Sequence, residues 1–576
     1  MDGTERRLAT PVLVIGTGGS GLRAAIELAE RGVGVLAVGK RPKADAHTTL
    51  AAGGINSALA TMDARDTWRQ HAADTLKESY LLADPRTVRV VAEGAARGID
   101  DLVRYGMPFA REPDGRISLR FFGAHTWRRT AFSGDYTGLE IQRALVRRAT
   151  ELDVPILDTV YITRLLVHDN VVFGAYGFDL NDGGRYVIHA DTVILATGGH
   201  TRIWRRTSSR RDENTGDSFR LAVLAGARIR DPELVQFHPS GLLAPEDAAG
   251  TLVSEAARGE GGTLLNRLGE RFMERYDPER MELSTRDRVA LAAYTEIKEG
   301  RGTPHGGVWL DVSHLPRETI MERLPRVHQT LLELQMLDIT REPIEIAPTA
   351  HYSMGGVWVR PEDHGTDVEG LFAIGEAASG LHGANRLGGN SLIELLVYGR
   401  IAGGAAADHS AGLRVQRRDA DAPAAARDEV DGLLACDGPE NVRSLQRAVR
   451  DVMTERCGVV RDEQGLRAGL DELDAIEART GDVGVHPDNA GFQDLVHAFD
   501  LRSTVLAARA TLEAALERRE TRGCHNRSDY PALDESLQVN LVWSGPGRIE
   551  REEIAPIPAE IASLMRGVST TGKLVE

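Results

Sequence analysis

Residues 12–32 read VLVIGTGGSGLRAAIELAERG. Val12 to Ile15 is a short, uninterrupted apolar run, the pattern of a strand buried on both faces. Gly16, Gly18 and Gly21 then form GxGxxG, and the apolar residues beyond recur at helical spacing. In a strand–turn–helix context each glycine has a separate task. The first permits the tight turn, the second lets backbone approach a pyrophosphate, and the third lets the helix pack close to the sheet. The helix N-terminus, with its free N–H groups, then points at the phosphates. VGVLAVGK (33–40) supplies the next parallel strand of a βαβ unit. A dinucleotide is the ligand implied.

The end of that second strand is where a simple NAD enzyme carries an acid for the ribose hydroxyls, and here it is Gly39-Lys40. Two later segments, ILATGG (194–199) and LFAIGEA (371–377), have the form of further nucleotide-contacting strand ends. They suit a longer FAD lying across the sheet, with Glu376 placed to accept a ribityl or ribose hydroxyl.

Working outward, 576 residues are enough for several domains, or one with large insertions. With 42% hydrophobic and 27% charged residues the composition is globular, and a net charge of −16 argues against nucleic-acid binding. The basic run Arg205, Arg206, Arg210 and Arg211 reads as a solvated face. Cys436, Cys457 and Cys524 form no CxxC pair, so neither a cluster nor a zinc site is expected on this chain, and no metal is. The polar N-terminus shows no signal peptide, and no apolar run spans a bilayer; a cytoplasmic location is expected.

Thr67 to Tyr105 reads as helical, and VPILDTVYITRLLV, VVFGAYGFDL and YVIHADTVILATGG as strands. GGNSLIELLVYGRIAGGAAA reads as a helix with a Ser or Asn N-cap. The expected class is α/β: a Rossmann-like FAD-binding domain (1–245 and 346–405) interrupted by an α+β capping domain (246–345). An Ala-, Asp- and Gly-rich linker (406–440) leads to a helical domain (441–533) and a C-terminal segment (534–576).

The chain resembles the succinate dehydrogenase, fumarate reductase and L-aspartate oxidase flavoprotein family. The resemblance is carried by HTTLAAGGIN, TGDS, ELVQFHPSG, SEAARGEGG, ERFMERYDPERMELSTRD, PTAHYSMGG, GLHGANRLGGNSL and RRETRGCHNRSDYP. It implies FAD at Gly16, Gly18, Gly21, Lys40, Thr48, Gly53 and Gly54, joined covalently through His47. Ala196, Thr197, Gly198, Asp217, Glu376, Asn390, Ser391 and Leu392 are implied as further cofactor positions, the last three at a helix start whose positive end faces the flavin.

A small dicarboxylate needs donors for each carboxylate and a path for one proton. By resemblance, His238, Ser254, His351 and Arg386 hold the carboxylates, with Phe122 and Gly54 beside them. Arg386 suits this because guanidinium bonds carboxylate bidentately. Arg286 matches the residue that exchanges a proton with substrate, beside Glu255 and Arg258, which lie three apart and share a helix face. The reaction implied is interconversion of succinate and fumarate by hydride transfer with FAD. Electrons would pass to or from an iron–sulfur partner subunit; through it the chain would reach a membrane anchor on the inner face of the cell membrane.

Two positions favour the dehydrogenases and fumarate reductases over aspartate oxidases. His47 falls at their covalent attachment site, and Phe122 replaces the glutamate that pairs with an aspartate ammonium. Ala52 stands in place of the usual glutamine, Ser254 in place of threonine, and His125 follows the oxidase pattern. An aspartate oxidase-type enzyme and a catalytically silent flavin-binding subunit remain as alternatives, although Arg286, His351 and Arg386 are all present. One site serves both directions of the reaction, so the direction stays open.

Overall fold

The computed structural model describes residues 5–487 and 491–565. The strand Glu5–Ile15 runs parallel to Val35–Val38 on one side and to Arg185–Leu195 on the other. Val12, Leu13 and Val14 are wholly buried, as an apolar run sandwiched between layers must be. Ile156–Leu157 extends the sheet beyond Val35–Val38, Leu371–Ala373 pairs parallel with the end of Arg185–Leu195, and Val171–Asp179 and Val160–His168 add an antiparallel flank. The seven-stranded sheet is the α/β dinucleotide scaffold read from the sequence.

The helix Gly19–Glu30 packs on this sheet beside the long helix Asn390–Gly412. The stretch 67–105 forms two helices, Trp68–Glu78 and Pro85–Arg104. Asp84 caps the second, which opens on Pro85, so the break coincides with a strong start signal.

The cap is built on the antiparallel strand order Val235–Leu242, Ile344–Ser353, Val308–Asp311, Thr263–Leu265. It has its own apolar core, including Val253, Leu264, Phe272, Val289, Leu310 and Ile344. Its two connections to the main body are the two adjacent strands Val235–Leu242 and Ile344–Ser353.

Residues 406–440 are not the linker expected. Asn390–Gly412 runs into them, and Asp421–Leu434 is a second helix that buries Ala426, Val430 and Leu433. Alanine, taken as a sign of flexible composition, is the best helix former. Helices Val442–Arg456, Glu463–Glu477 and Gln493–Glu517 follow and share a core with the FAD-binding sheet, where Tyr161, Phe178 and Phe499 meet. Val539–Gly545 forms a strand that returns to pair with Ile229–Arg230. The last eleven residues of the expected C-terminal segment, 566–576, lie outside the described residues. Among those described, no helix is long and apolar enough to cross a membrane.

Candidate active site

A cavity of about 1240 Å³ runs from the glycine turn, past residues 46–54 and 196–198, to Arg386 and Ser391 beneath the cap. Two of the three motif glycines are demanded by the protein itself. A Cβ at Gly16 (φ +114°) would sit 2.1 Å from the Ala196 carbonyl oxygen, and one at Gly21 would sit 1.9 Å from that of Gly16. Gly18 differs: its backbone is extended and the nearest atom to a Cβ there is Thr48 Oγ1 at 3.6 Å. Nothing in the chain needs Gly18 to be glycine, but a pyrophosphate lying on that turn does. Thr48 Oγ1 accepts from Gly19 N at 3.0 Å, while Thr197 Oγ1 is buried in the cavity wall without a partner. These residues fit FAD.

The other expected cofactor positions divide. Gly53, Gly54, Gly198, Ser391 and Leu392 line the cavity. Gly54 adopts φ +142°, with Thr130 and Ala131 packed where a side chain would go. Lys40 also lines it, but its Nζ is 2.7 Å from Asp217 Oδ2, and Tyr161 OH lies 3.0 and 2.9 Å from Asp217 Oδ1 and Asp500 Oδ1, with one proton to give between them. The strand end that lacks a ribose-binding acid therefore carries a partly buried lysine–carboxylate cluster. Glu376 accepts from Ser353 N and Asn214 Nδ2 at 3.0 and 3.3 Å, and burial pushes its carboxyl up.

Asn390 departs from expectation. The helix cap is Gly389 in the left-handed region, and the Asn390 amide is turned inward. It bonds Asn56, His71 and Thr75 at 2.8 to 2.9 Å and does not line the cavity. Gly21 packs beneath the turn rather than facing the cavity.

At the far end two poles of charge converge. Arg286 opens the cap helix Arg286–Glu296, and its Nε and Nη2 lie 2.8 and 2.7 Å from Glu255 Oε2. Arg258 lies behind, with Nη2 3.8 Å from Glu255 Oε1 and Nη1 donating to the Glu282 carbonyl. Burial opposes ionisation of Glu255, yet Arg286 and Arg258 overcome it and hold its carboxyl at about 2. Arg386, on the main body, donates from Nη1 to Ser391 Oγ at 3.0 Å and stands 4.4 Å over the Tyr352 ring. Burial and the nearby Arg286 lower its guanidinium to about 10, and its Nε has no partner.

The adjacent antiparallel strands Val235–Leu242 and Ile344–Ser353 bring His238 and His351 edge to face, 5.3 Å apart. His238 Nδ1 accepts from Ser240 N, and His351 Nδ1 bonds Ser208 Oγ at 2.9 Å. Burial and neighbouring arginines press both imidazoles well below their usual range, so the free protein holds them neutral. Ser254 and Phe122 complete the wall, and Phe122 covers Gly53.

Gln236 was not among the residues singled out from sequence. Its Oε1 accepts from Arg286 Nη1 at 3.1 Å and from Arg386 Nη2 at 3.0 Å, so one neutral oxygen joins the two guanidinium groups. Nor is the basic run simply a solvated face. Arg210 pairs with Asp45 and Glu213, and Arg206 lines the cavity with a buried, unpartnered Nη1.

Sheet, glycine cradle and capped pocket together define a flavin-dependent oxidoreductase. Family models match an FAD binding domain over residues 11–392 and a fumarate reductase flavoprotein C-terminal domain over 446–560. The chain is 41% identical over 523 residues to a fumarate reductase (CoM/CoB) subunit of Methanothermobacter marburgensis, covering 90% of this chain and 94% of that protein. It is 36% identical to the succinate dehydrogenase flavoprotein subunit of Rickettsia bellii, covering 93% and 92%. The solved Sdh1 of Mycobacterium smegmatis in complex with UQ1 superposes with a TM-score of 0.88 at 36% identity, covering 96% of each chain. The chain belongs to the succinate dehydrogenase and fumarate reductase flavoprotein family, and its fold and FAD-dependent oxidoreductase class are those of that family.

Proposed function

We propose that this chain interconverts succinate and fumarate, with FAD held along the cavity and linked through His47. The observation that carries the reading is the pairing of a fixed cationic anchor, Arg386, with a second guanidinium, Arg286, backed by an ionised glutamate. Bound FAD supplies a hydride acceptor and donor at its ring system. Arg386, His351 and His238 orient the two carboxylates, with Ser254 nearby. Neutral imidazoles serve as donors to carboxylate here without adding charge beside the two guanidinium groups of Arg286 and Arg386.

Arg286 exchanges the proton at the carbon next to the one exchanging hydride. Arginine's pKa lies above about 12 in water, so it gives up a proton only as charge builds on the substrate and only along a preformed path. Glu255, bonded to Arg286 and facing Arg258, is that path. Phe122 and the cap shield the reacting carbons from water. Electrons leave to, or arrive from, an iron–sulfur subunit held at a membrane anchor; the chain's own cysteines are three separate free thiols.

The test is an anaerobic spectrum of the flavin-loaded protein with succinate, and separately with L-aspartate. Bleaching by succinate and recovery on adding fumarate support the reading. Bleaching by aspartate alone, with recovery in air, overturns it.

A further inference from the structure

His47 sits on the turn His47–Leu50 at the cavity wall, about a third exposed. Its Nδ1 lies 2.9 Å from Glu213 Oε2. Glu213 comes from a distant part of the chain, is 6% exposed, and is itself fixed. Arg210 donates to it from its backbone N and from Nη1, both at 3.3 Å, and Arg41 Nε is 3.7 Å from Oε1. The next residue, Asn214, donates to Glu376 and accepts from Gly199 N, so this segment is pinned at both faces of the cavity.

We propose that Glu213 is the positioning residue for His47: it fixes the imidazole tautomer for covalent attachment and afterwards keeps the linked ring cationic. The inference rests on the reading that His47 carries the flavin.

A carboxylate at Nδ1 requires the proton there, because a carboxylate only accepts. Nε2 of the neutral ring is then a bare lone pair, the form a nucleophile needs. No partner for Nε2 is found among the described residues. In the attachment, one C–H bond of a flavin methyl group is replaced by a C–N bond to Nε2. The departing hydrogen leaves as a proton and two electrons, and fumarate takes up both electrons with two protons to become succinate.

Once alkylated at Nε2, the ring is neutral only if Nδ1 loses its proton. Glu213 opposes that loss, so the linked ring stays an imidazolium beside the flavin and favours added electrons there. The other charged or titratable groups facing His47 are Arg210 on the same segment as Glu213, Glu376 at its strand end and His351 on the strand Ile344–Ser353. Burial, and to a lesser degree Arg210, oppose the imidazolium, while Glu213 and Glu376 favour it and prevail.

The test compares the wild-type holoprotein with E213Q and E213D. Flavin retained through unfolding is read as fluorescence of the denatured band and as mass of the His47 peptide; reduction potential is titrated against pH. Expected are covalent flavin in the wild type, attachment at least tenfold slower in E213Q with a lower potential, and substantial recovery in E213D. Attachment at the wild-type rate in E213Q, with an unchanged potential and pH dependence, overturns the role of Glu213 alone. A wild-type protein that binds FAD but sheds all of it on unfolding overturns the His47 link, and this inference with it.

Discussion

Replacing Gln236 by methionine keeps most of the side-chain volume and removes the one oxygen that both Arg286 and Arg386 share. Gln236 is fully buried, so no water replaces it without rearrangement. A buried hydrogen bond to a charged group is worth about 1.5–3 kcal/mol. Two bonds to one oxygen are not additive, so the loss expected is about 2–4 kcal/mol rather than the full sum. Converted at about 1.4 kcal/mol per factor of ten, kcat/KM falls roughly 30- to 1,000-fold. The amide also donates to Asn385 Oδ1 and to the Arg386 carbonyl, so thermal stability falls too. The assay is anaerobic fumarate reduction by a reduced viologen dye, with kcat and KM resolved and flavin content fixed by absorbance. Gln236→Glu separates geometry from charge. It still accepts from both arginines, but its carboxylate neutralises the pocket's field, so KM rises more than kcat falls. A folded, flavin-loaded Gln236→Met protein within about threefold of wild type in both constants would refute the reasoning.

Arg286→Lys keeps the charge but breaks the two-nitrogen contact with Glu255; kcat should drop about 10²- to 10⁴-fold while malonate affinity changes less than tenfold. Retained turnover removes Arg286 from the proton path. Because His238 and His351 are held neutral in the free protein, the pH profile of kcat/KM should show no limb near 6.5. A limb there that vanishes in His351→Asn contradicts the assignment. Gly18→Ala should leave apoprotein melting within a few degrees of wild type and yet lower FAD affinity at least tenfold. Gly16→Ala, with backbone oxygen 2.1 Å from the new Cβ, should destabilise the apoprotein itself. Equal effects on folding from both would mean that Gly18 serves the fold and not the cofactor.

What could be read from the sequence was what chemistry marks within a short window. GxGxxG between a strand and a helix, and histidines and arginines inside long ordered motifs, announce themselves locally. Gln236 did not, because a neutral amide has no chemical flag of its own. Its role arises from guanidinium groups 50 and 150 residues away. Glu213 was hidden for the same reason, its partner lying 166 residues earlier. Asn390 shows the opposite error: its position beside a helix start suggested a cap, but the positive φ of Gly389 makes the turn and frees the amide to bond inward. The 406–440 stretch was misjudged by composition, since helix-forming alanine and a flexible Ala-Gly linker look alike in a count.

The site is divided between two bodies that touch the chain at two neighbouring strands. Arg286, Glu255, Arg258 and Ser254 belong to the cap; Arg386, Ser391, Phe122 and the glycine cradle belong to the main body. Cutting at Val235–Leu242 and Ile344–Ser353 would lift out one contiguous cassette holding Arg286, Glu255 and Arg258, the proposed proton path, and leave the glycine cradle and Arg386 in place. Under the proposed mechanism, recombination at those two points exchanges acid–base chemistry as a single heritable block. Gln236, at the seam, is one residue through which a newly acquired cassette would be matched to its host, beside the contacts of Asp287 with Tyr80 and Asn385.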